Sequence, residues 1–247
     1  SLDAGRFNFQ DNDGTVRRFL LAAQIAGVGD SAVAARAAAA LARSTPPDSA
    51  LALFDTHPVW WNAWLLGAYH ATFGDTAAAR RWRRLIGTFP AGGTSLDYRG
   101  GLQADIDARL AARRGQLDRA RSAEQEAMRL WSIHTENDWE ALPSPAMRFH
   151  LATLLRAAGD DDNAARLLQS LVPPTTWMGF YSVLASYTLG EIEEGRGQTQ
   201  RALRHYAFAE QYWRDADLEL SSWHARAVAG LRRLTEETNA ANGGSGP

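Results

Sequence analysis

The chain has no cysteine and no lysine among its 247 residues. Without cysteine, disulfides, thiolate metal sites and cysteine nucleophiles are excluded, and the redox state of the compartment is left open. Without lysine, all 26 basic residues are arginine, a choice that a GC-rich coding sequence accounts for. The glycine pairs Gly92-Gly93 and Gly100-Gly101 therefore lack the lysine of a phosphate-binding loop. Long apolar runs are missing too. The longest, residues 19–29, is about half of the roughly 20 residues a bilayer span needs. Charged residues crowd the first twenty positions (Asp3, Arg6, Asp11, Asp13, Arg17, Arg18), so no signal peptide is read there. The first residue is Ser1 and not methionine, which suggests a piece of a longer protein.

Other absences concern catalysis. The six histidines (His57, His70, His134, His150, His205, His224) form no H-x-x-x-H pair and no HExxH, so no metal site is expected. Asp160-Asp161-Asp162-Asn163 lacks the loop glycine and distal glutamate of a calcium loop, and reads as helix capping. There is no G-x-S-x-G elbow for a serine nucleophile. The formal charge of −2 gives no electrostatic reason to expect nucleic acid or an anionic membrane. Arg80-Arg81-Trp82-Arg83-Arg84 is the densest basic run and reads as a solvated helix face, since no wider basic stripe supports it. No cofactor is expected.

What is present is ordinary for a soluble domain, with 45% hydrophobic and 22% charged residues. It is also periodic. Gly29, Gly74, Gly115, Gly159 and Gly197 each follow an apolar segment with helical spacing. Five residues after each stands an alanine: Ala34, Ala79, Ala120, Ala164 and Ala202. Twelve after comes Leu41, Ile86, Ala127, Leu171 or Ala209. Seven before stands Ala22, Gly67, Ala108, Ala152 or Gly190, and eight before Leu21, Leu66, Asp107, Leu151 or Leu189. Only Asp107 is out of character. Glycine suits a tight turn, and small residues let paired helices approach closely. Asp30, Asp75 and Asp160 stand where N-caps of the second helices are needed.

In residues 189–213 the six positions Leu189, Gly190, Gly197, Ala202, Tyr206 and Ala209 resemble the tetratricopeptide repeat (TPR), a pair of antiparallel helices. The other four copies follow the same frame, over roughly residues 15–215. Successive glycines lie 45, 41, 44 and 38 residues apart, against 34 for the standard repeat. The surplus falls after the second helices, in residues 45–58, 89–97, 135–145 and 173–179, where prolines mark breaks. The resemblance implies an all-α, right-handed α-solenoid of about five helix pairs. Leu220, Trp223, Ala227, Leu231 and Leu234 recur at helical spacing and read as a capping helix. The expected organisation is thus an N-terminal arm (1–14), a repeat array (15–216), a capping helix (217–238) and a flexible tail (239–247).

In TPR arrays the first helices line a concave groove, and one groove-facing slot lies ten residues before the turn glycine. Here it holds Phe19, Trp64, Asp105, Phe149 and Tyr187, with Trp61 one turn ahead of Trp64. On neighbouring turns sit Arg109, Arg156 and Glu191. Two readings are open: the aromatics pack as core between helices, or, as four of five in register favour, they form a partly exposed ladder that binds a partner. The two-carboxylate clamp known in the family is not expected, because the matching positions carry aromatics, Ala23, Ala68 and Thr153. The resemblance implies a non-enzymatic scaffold or adaptor that holds a peptide or protein segment, as part of a larger protein or assembly. The alternatives are an all-α enzyme of the glycan-processing toroid type and a structural subunit. Nucleic acid and direct membrane insertion are not expected. A cytoplasmic location is expected, with an exported or membrane-tethered domain as the alternative.

Overall fold

The computed structural model describes residues 13–28, 30–45, 57–88, 98–132, 143–172, 179–214 and 221–243. Every regular element among them is an α-helix, as the periodicity predicts. In chain order they are α1 (Asp13–Ile25), α2 (Ser31–Ser44), α3 (His57–Thr72), α4 (Thr76–Thr88), α5 (Tyr98–Ala112), α6 (Leu117–Ser132), α7 (Pro143–Ala157), α8 (Asp161–Gln169), α9 (Gly179–Gly195), α10 (Thr199–Trp213) and α11 (Ser221–Gly243). The chain divides into two compact units. One comprises residues 9–160, and the other residues 161–247 together with 1–8. The boundary falls inside the fourth expected pair, leaving α7 in the first unit and α8 in the second. The arm expected over 1–14 lies almost wholly outside the described residues.

Local chemistry explains the helix ends. The turns after α1, α5, α7 and α9 share one glycine-based motif in which the glycine amide bonds three residues back and the next amide five back. After α5, Gly115 N donates to Ala112 O at 2.9 Å and Gln116 N to Ala111 O at 3.0 Å. The same two bonds recur at Gly27, Gly159 and Gly197, and all four glycines have φ between 69° and 84°. After α1 the motif uses Gly27; the Gly29 singled out in the sequence lies outside the described residues. Asp30 and Asp75 cap as expected: Asp30 Oδ1 accepts from Ala32 N and Val33 N at 2.7 and 2.8 Å, and Asp75 Oδ1 from Ala77 N at 2.8 Å. Pro143 and Pro145, read as marks of a break, fall in the first turn of α7, where a missing amide hydrogen costs nothing.

The small-residue frame is the core. Every residue at the offsets five and twelve after the glycine, and seven before it, is buried. Eight before, the leucines are buried and Asp107 instead pairs with Arg83 at 2.7 Å, 42% of its side chain exposed. In the first unit α1–α2, α3–α4 and α5–α6 pack as hairpins. Each of α3 and α5 lies on both helices of the hairpin before it, and α7 lies on α6. In the second unit α8 packs on α9, α9 on α10, and α10 on α11. There the ring of Tyr206 is gripped between two glycines. A Cβ built on Gly190 would stand 2.8 Å from one edge of the ring and one on Gly230 2.9 Å from the other. Only glycine allows α9 and α11 so close to that ring. A helix, α11, is present within the span 217–238 expected of a cap and packs on α10; it begins at Ser221 and continues to Gly243, taking in the first residues of the expected tail. Ala240 and Ala241 are the strongest helix formers there, so the helix has no local reason to stop at 238.

Candidate functional site

The slot ten residues before each turn glycine does not present an exposed ladder. Trp64 is 1% exposed, Phe149 9% and Tyr187 7%, while Phe19 is half-buried. The reason is local. The slot looks into the seam between a first helix and its neighbours, so a large ring there is covered. Tyr187 lies 5.1 Å from Trp223, 5.6 Å from Tyr206 and 6.1 Å from Trp213, centroid to centroid. Burial and the neighbouring Glu191 push its hydroxyl up to about 12. Trp61 is half-buried and meets Trp60 edge-on at 5.7 Å. Arg156 and Glu191 are half-buried. Tyr187 and Glu191 belong to the second unit, and the other residues of the set to the first.

Three of the set do meet. Trp64 on α3 donates its indole N–H to Asp105 Oδ2 at 2.8 Å. Arg109, one turn along α5, donates Nε to the same carboxylate at 3.0 Å, with a second guanidinium nitrogen 2.9 Å away. Two residues that the sequence reading missed complete the cluster. Glu124 on α6 is fully buried, and His150 Nδ1 on α7 lies 3.0 Å from Glu124 Oε2 and 4.0 Å from Asp105 Oδ1. The signal was there. Glu124 stands nine residues after its glycine, where three of the other copies bury Ala38, Leu168 and Tyr206. An ionisable residue in an apolar register marks a polar core.

The electrostatics follow from depth. Burial pushes the Asp105 carboxyl up, but the charge and hydrogen bonds of Arg109, with His150 and the Trp64 indole, bring it below the usual range. Burial, with the Asp105 charge beside it, drives Glu124 well above the usual carboxylate value. Burial and the Arg109 charge hold His150 down to about 3, so its ring is neutral. Arg109 and Asp105 thus form a buried ion pair with the neutral His150 ring beside it.

Asp105, Glu124 and His150 place one ligand atom each within 4.8 Å of one another, a grouping that histidine spacing did not anticipate. The set fits a cation poorly. Asp105 already serves as acceptor for Trp64 and Arg109, and the guanidinium stands beside any added positive charge. Two carboxyl groups and an imidazole are also acid–base chemistry, yet both carboxyl groups are wholly covered and no substrate reaches them. The arrangement ties α3, α5, α6 and α7 together.

The arginines of the basic run lie on a solvated face as expected, Arg80, Arg81 and Arg84 being exposed and Arg83 half-buried. Trp82 turns inward and is 8% exposed, with the Arg81 guanidinium 5.9 Å from its ring centroid. Arg80, Arg83 and Arg84 share the opposite face and line a cleft of about 420 Å³ with Asp107, Leu110, Ala111, Arg114, Gln116 and Arg119. Neither a family model, a curated protein nor a solved structure matches the chain.

Proposed function

We propose that the chain is a non-enzymatic helical-repeat scaffold, a right-handed TPR-like array of about five helix pairs with a C-terminal cap, that holds a segment of a partner protein. The observation that carries this reading is the packing of α3 and α5, each on both helices of the preceding hairpin. That is how stacked repeats build a continuous side for binding. Of the expected partner-binding set, Phe19, Trp61 and Arg156 of the first unit keep part of their surface in solvent, as Glu191 does in the second, and Trp61 is the largest such side chain. An aromatic anchor in the middle of an interface is the usual source of affinity. Trp64, Asp105, Arg109 and Phe149 contribute by fixing the helices of the first unit, and Tyr187 by packing the core of the second.

The test is selection of peptides from a displayed random library on the full chain, followed by calorimetry of the winners. The reading expects peptides that compete with one another and lose about 2 kcal/mol, the size of a hot spot, in Trp61→Ala. Winners that do not compete, or none above background, would remove it. The enzyme alternative gains nothing from the sealed carboxyl pair.

A further inference from the structure

The cleft at the basic run gathers Arg80, Arg83 and Arg84 from α4, Arg114 from the turn after α5, and Arg119 from the first turn of α6, against the single carboxylate of Asp107. That carboxylate is already held by Arg83 at 2.7 Å. Arg80, Arg84, Arg114 and Arg119 have no acidic partner among the described residues. Other arginines of this chain do find one. Arg109 has Asp105, Arg129 has Glu126, Arg214 has Glu210, and Arg232 has Glu236. Asp118, next to Arg119 in sequence, turns to Arg121 at 2.6 Å and is not part of the lining. Like charges assembled around one concavity repel, and a multiply charged anion would relieve that repulsion. Gln116 O accepts the first bond of α6 from Ala120 N at 2.9 Å, so the positive end of that helix opens at the cleft.

We propose that this cleft binds a compact polyanion of the polyphosphate class, held by the guanidinium groups of Arg80, Arg84, Arg114 and Arg119. The remaining lining decides the class. Among the described residues no aromatic side chain lines the cleft, so a nucleobase finds nothing there to stack on. Among the described residues Leu110 and Ala111 are the only apolar side chains lining it, too few to anchor a peptide. What remains is recognition by charge and by paired N–H donors, which suits closely spaced phosphate oxygens. The net charge of −2 argues against a long nucleic acid, which would need a basic surface well beyond one cleft. The site is independent of the partner-binding reading, and either can fail alone.

Calorimetry of the full chain with sodium tripolyphosphate in about 0.15 M salt tests it. The expected result is saturation at one ligand per chain with a dissociation constant below about 100 μM. Arg84→Ala and Arg114→Ala should each weaken binding about tenfold, the scale of one lost charge-assisted contact. Both positions are exposed, so the circular dichroism spectrum should not change. Arg36→Ala, on the exposed side of α2, should bind as the parent does. No saturation at about 1 mM ligand would overturn the proposal, as would equal weakening in Arg36→Ala. Tighter binding of hexaglutamate than of tripolyphosphate would overturn it in favour of an acidic peptide.

Discussion

The two units fill the same repeat slot in opposite ways. In the unit of residues 9–160 the slot holds Phe19, Trp64, Asp105 and Phe149, and around Trp64 and Asp105 the core closes through hydrogen bonds and one buried ion pair. In the unit of residues 161–247 it holds Tyr187, which closes through rings: Tyr206, Trp213 and Trp223 all lie within 6.1 Å of it. The second core is not free of charge, because Glu193 is 2% exposed with Arg196 at 3.5 Å. Its centre is nevertheless aromatic. A small-residue frame therefore fixes where helices approach but leaves the filling free. A polar filling is directional and sensitive to pH; an aromatic one is sensitive to shape.

The largest effect should come from taking one charge out of the polar core. Arg109→Ala leaves the Asp105 carboxylate buried without its cation, a change that costs about 3–5 kcal/mol. Urea unfolding followed by hydrogen exchange should show the loss in α3, α5, α6 and α7, with α9 to α11 keeping their protection. Equal loss in both sets would break the contrast between the units.

Acid comes next. His150 is held at about 3 when folded against an ordinary value near 6.5, so the unfolded chain takes up a proton that the folded chain refuses. Stability from this group is complete above the unfolded value and falls as pH drops from about 6.5 towards 3. The loss at pH 4 should be about 2–3 kcal/mol. His70 and His205 are lowered in the same direction by burial, so the acid limb is shared. The difference between wild type and His150→Gln isolates one share of it. Superimposable pH–stability curves for the two would show that the ring titrates freely.

The aromatic core should fail through shape. Gly230→Ala puts a methyl group 2.9 Å from the Tyr206 ring, and the ring cannot retreat because Gly190 lies against its other edge. Overpacking of this kind costs about 1–3 kcal/mol. The loss should be the same at pH 5 and pH 8, unlike that of the histidine. A variant as stable as the parent would mean that α11 can shift outward freely.

How much of this the sequence made legible differs between frame and filling. Offsets to small residues located the close contacts well: Ala34, Ala79, Ala120, Ala164 and Ala202 are all buried, because one methyl group per turn leaves the backbone few alternatives. The slot itself was found, and the meeting of Trp64, Asp105 and Arg109 lies within it. Their exposure was misjudged because periodicity tells which side of a helix a ring takes, not what covers that side. Glu124 and His150 escaped notice because their partners lie on other helices, 19 and 45 positions away from Asp105. The solvated stripe of Arg80 to Arg84 was legible, but the cleft beside it was not, because Arg114 and Arg119 arrive from another hairpin.

The smallest expected effect is a gain. Glu124 is buried and its proton affinity is raised well above the ordinary, so the folded state retains a proton that the unfolded state gives up. For an acid shifted upward, no stability is lost below the ordinary carboxylate value of about 4.3; the loss grows with pH from there until the folded value is reached. Glutamine has the shape of the protonated acid and no proton to lose. Glu124→Gln should therefore match wild type near pH 4 and exceed it near pH 8, read from urea midpoints at the two pH values. The amide must also serve its neighbours, His150 Nδ1 at 3.0 Å and the Asp105 carboxylate, which needs a donor from this side. Glutamine keeps a donor and an acceptor and can meet both demands. Ser186 with His205, in the other unit, gives the control: Ser186→Ala removes a hydroxyl 3.1 Å from an imidazole but no buried acid, so it should lack the alkaline gain. If Glu124→Gln loses stability at both pH values, the glutamate is ionised in the fold, and the polar core holds two carboxylates around Arg109 and not one.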